Sequence, residues 1–201
     1  MKVAMGRVAW LVCVVSLSGC ALFSPVNVDT QRNVLNNVPL DLPSETTHPA
    51  TLLVLTPQIA PAYAKTQMAY SIQPYQVAYF TRNAWAETPS QMIQPLVVQT
   101  LRSTHYFSEV LSAPYFGRHT FALRTELLQL EQDFTSDPAT LRLTMRVALS
   151  RAATNQVIAT KEWSVSQPMS QKTPYAGVVA ANEAIQNLLR ELARFVIENA
   201  G

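Results

Sequence analysis

The nine residues Leu141 to Leu149, LRLTMRVAL, carry an apolar side chain at every second position. Leu141, Leu143, Met145, Val147 and Leu149 alternate with Arg142, Thr144, Arg146 and Ala148. A period of two puts one set on each side of a pleated strand and gives an α-helix no single apolar face. The stretch therefore reads as a half-buried antiparallel strand with one dry face and one wet face. Its neighbours follow from the turns. Thr120 to Phe134 and Ala139 to Arg151 flank Ser136-Asp137-Pro138, and Thr154-Asn155-Gln156 turns into Val157 to Ser166. Three strands in a meander are expected, and their dry face needs a cover.

A helix after the meander supplies that cover. Thr173-Pro174 gives a capping hydroxyl followed by Pro at the first helical position, and the helix is predicted to run to about Asn199. Val178, Ala181, Ile185, Leu188, Leu192 and Phe195 form its apolar stripe, opposite Glu183, Asn187, Arg190, Glu191, Arg194 and Glu198. Upstream, Thr51 to Thr56 reads as a buried strand stopped by Pro57. Gln67 to Gln73 and Tyr75 to Thr81 read as strands broken at Pro74, and Glu109 to Ser112 as a short strand. Thr88-Pro89-Ser90-Gln91 has the pattern of a capping box, with Met92, Ile93, Leu96, Val97 and Leu101 as the stripe of a first helix. Pro95 conflicts with it, because it cannot donate to the Gln91 carbonyl and its ring crowds that group, at ~3 kcal/mol. Either the helix kinks at Pro95, or it begins at Gln94-Pro95 and the box caps one turn. The expected fold class is α/β in the α+β sense. It is a single domain over residues 51–199, a mixed and mostly antiparallel sheet with two main helices packed on it, after a signal peptide and a tether.

The N-terminus reads as an address. Lys2 and Arg7 precede about ten residues, Val8 to Leu17, that are apolar except Ser16. A span of roughly 20 helical residues is needed to cross a bilayer, so the pattern fits a secretory signal peptide over residues 1–19. Leu17, Ser18, Gly19 and Cys20 resemble the bacterial lipobox, in which the thiol is diacylated, the chain is cut before the cysteine and the new amine is acylated. The covalent diacylglycerol and N-acyl chain on Cys20 would then be the only prosthetic groups. Ala21, rather than Asp, follows Cys20. By analogy with lipoprotein sorting, that directs the protein to the outer membrane of a Gram-negative bacterium, on the periplasmic face. Cys13 falls in the discarded segment, which leaves no free thiol for a disulfide or a cysteine metal site. Residues 20–50, with Pro25, Pro39, Pro43 and Pro49, read as the lipidated cysteine and a tether, which as a flexible coil spans roughly 30 Å. Val34, Leu35, Val38, Leu40 and Leu42 could let part of it pack on the domain.

Cleavage before Cys20 removes Lys2 and Arg7 and leaves equal numbers of acidic and basic residues. A neutral chain without a Lys/Arg cluster excludes nucleic acid as the expected partner. Only Gly117, Gly177 and Gly201 would remain, too scattered for a phosphate loop. His48, His105 and His119 have no partner at metal-ligand spacing, and no HExxH or GxSxG occurs. No enzyme activity, catalytic residue, metal or further cofactor is expected. Glu131 and Asp133 share one strand face and read as a solvated strand end rather than paired acids. Among Tyr70, Tyr75, Tyr79, Phe80 and Trp85, core packing competes with an exposed patch for a protein partner. Tyr75, Tyr79, Phe80 and Trp85 are the candidate interface.

The order of segments resembles the ABC-type transport auxiliary lipoproteins, a family that includes paraquat-inducible protein C. The segments are Met68-Ala69-Tyr70-Ser71, Tyr79 to Ala86 with its Trp85 turn, and Pro89 to Leu101. They continue with Tyr106-Phe107-Ser108-Glu109-Val110, Leu130 to Phe134, and Ala180-Ala181-Asn182-Glu183-Ala184. The Tyr-Tyr-x-Leu strand common in relatives is missing after Cys20, and Val38 to Leu42 is the candidate substitute. The resemblance implies a noncatalytic, outer-membrane-anchored component of an ABC/MCE-type lipid transport system. It implies docking to a periplasm-spanning MCE protein that works with an inner-membrane ABC transporter, and a ring-like homo-oligomer. The alternatives are a lipoprotein regulator of a cell-envelope enzyme and a periplasmic lipid-binding carrier.

Overall fold

The computed structural model describes residues 29–43 and 46–201. The residues read as a signal peptide and as a lipobox, Leu17, Ser18, Gly19 and Cys20 included, lie outside the described residues.

The meander is present and organises the rest. Strands β7 (Phe121–Asp133), β8 (Thr140–Arg151) and β9 (Gln156–Pro168) pair antiparallel along nearly their whole lengths. Leu141, Leu143, Met145, Val147 and Leu149 are all buried. Each such side chain contributes roughly 1.5–3 kcal/mol by leaving water. On the opposite face Arg146 bridges Glu126 and Glu162 at 3.2 and 2.8 Å. These are exposed pairs worth at most about 1 kcal/mol.

The other edge of β7 is shared by three strands, all parallel to it. Strand β2 (His48–Val54) pairs at Phe121–Leu123, β3 (Gln58–Ile59) at Glu126–Leu127, and β4 (Gln67–Ser71) at Glu131–Asp133. Strand β6 (Phe107–Ser112) adds to β2. Strand β5 (Ala78–Trp85) pairs antiparallel with β4, and β1 (Gln31–Asn33) adds to β5. The result is one nine-stranded mixed sheet that forks along β7.

Helices α1 (Pro89–Ser103) and α2 (Pro174–Ala200) contact each other and bury their predicted stripes against the sheet. Helix α2 covers the meander, while α1 sits over β2, β3 and β6. Thr173 caps α2 by accepting from the Ala176 amide at 3.2 Å. At the start of α1, the Gln91 carboxamide accepts from the Thr88 amide and hydroxyl at 3.1 and 2.7 Å. Pro95 lies inside this one helix, on its exposed side. Of the two readings, the start at Pro89 is the one realised, and the burial of the stripe on the opposite side of α1 offsets the local backbone cost of Pro95.

Several expected boundaries differ. No strand occupies 34–42, and the first among the described residues is Gln31–Asn33. Leu35 is buried, and Val38 and Leu42 pack on the core, whereas Leu40 is exposed. This segment, expected as tether, is held by α2. Asn182 accepts from the Asn36 and Asn37 amides at 2.9 and 3.3 Å and donates to the Val34 carbonyl at 3.0 Å. Gln186 donates to the Val38 carbonyl at 3.1 Å, and Arg190 pairs with Asp41 at 2.8 Å. Backbone polar groups of an irregular segment need such partners, and side chains on one helix supply them. The expected domain start at residue 51 falls inside β2. The strand expected at Tyr75–Thr81 begins later, at Ala78, because Tyr75 takes a positive φ of 64° and turns the chain.

Candidate functional site

The four candidate interface aromatics do not form one surface. Trp85 ends β5 and is 3% exposed, with its amide donating to the Thr66 carbonyl at 2.7 Å. Phe80 stacks on Tyr70 with ring centroids 4.4 Å apart and meets Phe134 edge-on at 6.4 Å. Such pairs are worth about 0.5–1.5 kcal/mol beyond their burial. Tyr79 is half-buried: its hydroxyl donates to the Ala62 carbonyl at 3.0 Å, and the Lys65 ammonium lies 3.9 Å over its ring. Tyr75 alone of the four stands free, at 108% of its reference exposure. Packing therefore claims Trp85 and Phe80 and half of Tyr79, and the proposed patch reduces to Tyr75.

What Tyr75 belongs to was missed in the sequence. The β4–β5 connection, Ile72-Gln73-Pro74-Tyr75-Gln76-Val77, contains no charge, and Ile72 and Val77 are exposed with Tyr75. The Gln73 carboxamide donates to that of Gln76 at 2.6 Å and braces the turn. Three exposed apolar side chains thus share one braced tip. An uncharged stretch around Pro74 was the available signal, and reading it as two strand ends hid it.

The carboxylates Glu131 and Asp133 are also placed differently from expectation. A bulge between Leu127 and Gln129 shifts the register of β7. Leu130 and Gln132 then pair with Leu143 and Leu141 on the dry face, while Glu131 and Asp133 take the other face. The one-turn 3-10 helix Pro61–Tyr63 contacts β4 and β7 and lies against Glu131, and both acids are buried. The Tyr63 hydroxyl donates to Glu131 Oε2 at 3.0 Å, and Gln129 donates to Glu131 Oε1 at 2.8 Å. Asp133 Oδ1 accepts from the Thr135 amide and hydroxyl at 2.8 and 2.6 Å and from Ser71 at 3.4 Å, and Arg142 pairs with Oδ2. Burial pushes the Asp133 carboxyl up, but the Thr135 hydroxyl and amide, Arg142 and Ser71 outweigh it and hold it below the ordinary value. Burial, then the nearby Glu131 charge, pushes the Tyr63 hydroxyl up. The acids are occupied as structural acceptors.

A groove of about 840 Å³ runs along α1, lined by Gln94, Pro95, Val98, Gln99, Arg102 and Ser112 among others. No group of three or more potential metal ligands occurs among the described residues, and none of the described helices is long and apolar enough to cross a membrane.

The sequence model of the ABC-type transport auxiliary lipoprotein component matches residues 35–193, most of the chain. The chain belongs to this family. Two features of the fold agree with the extent of that match. It starts at Leu35, the buried anchor of the segment held by Asn182, and ends in the last turns of α2. The fold is shared with a crystal structure of a Xanthomonas campestris protein, 16% identical, covering 86% of this chain and 95% of that one with a TM-score of 0.72. A second crystal structure, of an uncharacterized protein, is 14% identical and covers 83% and 99% with a TM-score of 0.65. A hypothetical protein from Chlamydia trachomatis is 11% identical, covering 76% and 98% with a TM-score of 0.50. At these identities the likeness is one of fold. No curated protein sequence matches the chain.

Proposed function

We propose that this auxiliary lipoprotein is a noncatalytic component of an ABC/MCE-type lipid transport system. In this reading Cys20 carries the diacylglycerol and N-acyl chain and anchors the domain at the periplasmic face of the outer membrane. The domain docks to a periplasm-spanning MCE protein, and copies of the chain assemble in a ring. The observation that carries this is the family match over 35–193 behind a lipobox at Leu17, Ser18, Gly19 and Cys20. The occupation of Glu131 and Asp133 by structural partners supports a role without catalysis.

Two measurements test it. Cys20→Ser abolishes acyl labelling and recovery in outer-membrane fractions; survival of both refutes the anchor. Cross-linking of the full-length protein in cells, with identification of the adducts, yields an MCE-type protein. Recovery of a peptidoglycan synthase without any MCE protein refutes the transport role in favour of enzyme regulation.

A further inference from the structure

Strand polarity fixes where the chain leaves the domain. Strand β4 runs parallel to β7, with Ser71 beside Asp133, so the β4–β5 tip lies at the end of the sheet where β7 finishes. Strand β5 returns from that tip, and β1 lies parallel to β5, with Gln31 beside Asn83. Going backwards from Gln31, the chain therefore heads toward the start of β5 at Ala78, and toward the tip. Helix α2 begins at the same end, since the Gln132 carboxamide donates to the Pro174 carbonyl at 3.0 Å. Tyr175, in its first turn, is exposed.

Chain length then limits where the anchor can be. Cys20 precedes Asp29 by nine residues, which reach at most about 32 Å whatever their conformation. The 13 residues of β7 extend about 40 Å. A lipid on Cys20 thus lies within easy reach of the tip end, while the end of the sheet where β7 starts is near or beyond its limit.

At this end the tip presents Ile72 at 60% exposure, Tyr75 at 108% and Val77, with no charge from residue 72 to residue 77. Tyrosine suits the boundary between headgroups and acyl chains, because its ring is apolar and its hydroxyl stays hydrated. Ile72 and Val77 supply apolar surface beside it, and nothing in the segment carries a charge that must be desolvated.

We propose that the β4–β5 tip, through Ile72, Tyr75 and Val77, lies in the interfacial layer of the phospholipid bilayer that holds the Cys20 lipid. This rests on the reading of Cys20 as lipidated. The tip is then a second contact that orients the domain, turning the β2 and β6 end away from the membrane. Neither contact alone fixes orientation; a lipid on a short chain permits swivelling, and three side chains on a tip bind weakly without the anchor.

The test uses the full-length, lipidated protein with Tyr75→Trp, reconstituted in vesicles of phosphatidylethanolamine and phosphatidylglycerol. Flotation reports anchoring. Quenching by a lipid with a spin label near the top of its acyl chain reports the position of the tip. The unsubstituted protein, with Trp85 buried and Trp163 packed on Phe195, gives the background. The indole at 75 is expected to lose roughly half its emission to the shallow label, as interfacial side chains sit about 5–10 Å deep, and to be shielded from aqueous iodide. Ile72→Trp provides an independent probe on the same tip. A protein that floats while both indoles are quenched by iodide and not by the lipid overturns the tip contact and leaves the anchor standing. Shielding from both quenchers, with a dimer cross-linked through position 75, assigns the tip to a second copy and also overturns it. Loss of flotation removes the anchor reading and this inference with it.

Discussion

Gly177 sits in the first turns of α2, and a Cβ built there would overlap the carboxamide of Gln132. Gln132 is buried, and its amide donates to the Pro174 carbonyl at 3.0 Å, which holds the start of α2 on the end of β7. Replacing Gly177 with Ala has two opposed effects. Helix propensity favours Ala by up to about 1 kcal/mol. Against that, the Gln132 amide must move within a packed site, at about 1–3 kcal/mol. Losing its bond leaves a buried donor, at a further 1–3 kcal/mol or so. The second effect wins, and Gly177→Ala is expected to destabilise by about 2 kcal/mol. In a Gln132→Ala background the obstruction is gone, and the same substitution should be neutral or stabilising by up to about 1 kcal/mol. The two sites should therefore couple by about 3 kcal/mol, near the upper end for residues in contact. Urea unfolding of the four proteins, followed by far-UV circular dichroism, measures the cycle. A Gly177→Ala variant that is more stable with Gln132 in place refutes the steric reasoning.

Pro95→Ala should raise stability by about 1–2 kcal/mol, since it restores an amide donor to α1 at an exposed position and offsets only a smaller gain in unfolded-chain entropy; a thermal midpoint higher by about 3–6 °C is the readout. Asn182→Ala removes the acceptor for the Asn36 and Asn37 amides, and their hydrogen exchange should accelerate by tenfold or so while exchange in β8 stays unchanged. Exchange that is unchanged at both amides would show that the segment is held without Asn182, by Leu35 and the Gln186 and Arg190 contacts. Asp133 is held below its ordinary value of 3.8, so its stabilising effect is fully present above that pH and is lost as pH falls through the lowered native value. Asp133→Asn should accordingly be less stable than the parent protein at neutral pH, with the gap narrowing as the pH falls below the ordinary value of 3.8; a gap that does not change with pH counts against the stabilisation of the carboxylate by Thr135, Arg142 and Ser71.

Local periodicity made the secondary structure around the core readable. The alternation from Leu141 to Leu149 and the stripes of α1 and α2 describe faces that must be dry, and each is buried as expected. Family membership was readable for a related reason, since the segments that carry it are these same core elements and their turns. The candidate interface was not. An aromatic side chain on a strand can face either way, and only the pairing of β5 with β4 and β1 decides that Trp85 points inward and that Phe80 meets Tyr70 and Phe134.

The sequence alone determined which stretches become strands and helices and where apolar faces lie, because those depend on neighbours within a few residues. The tertiary structure decided what those faces meet. Three separated segments, β2, β3 and β4, share one edge of β7, and the bulge in β7 moves Glu131 and Asp133 to a face where Tyr63 meets Glu131, and Ser71, Thr135 and Arg142 meet Asp133. Asn182 binds a segment nearly 150 residues away. Strand direction, likewise, brings the chain's exit and the uncharged tip to one end of the sheet. These outcomes depend on contacts between distant segments, and local patterns carry no record of which distant segment will arrive.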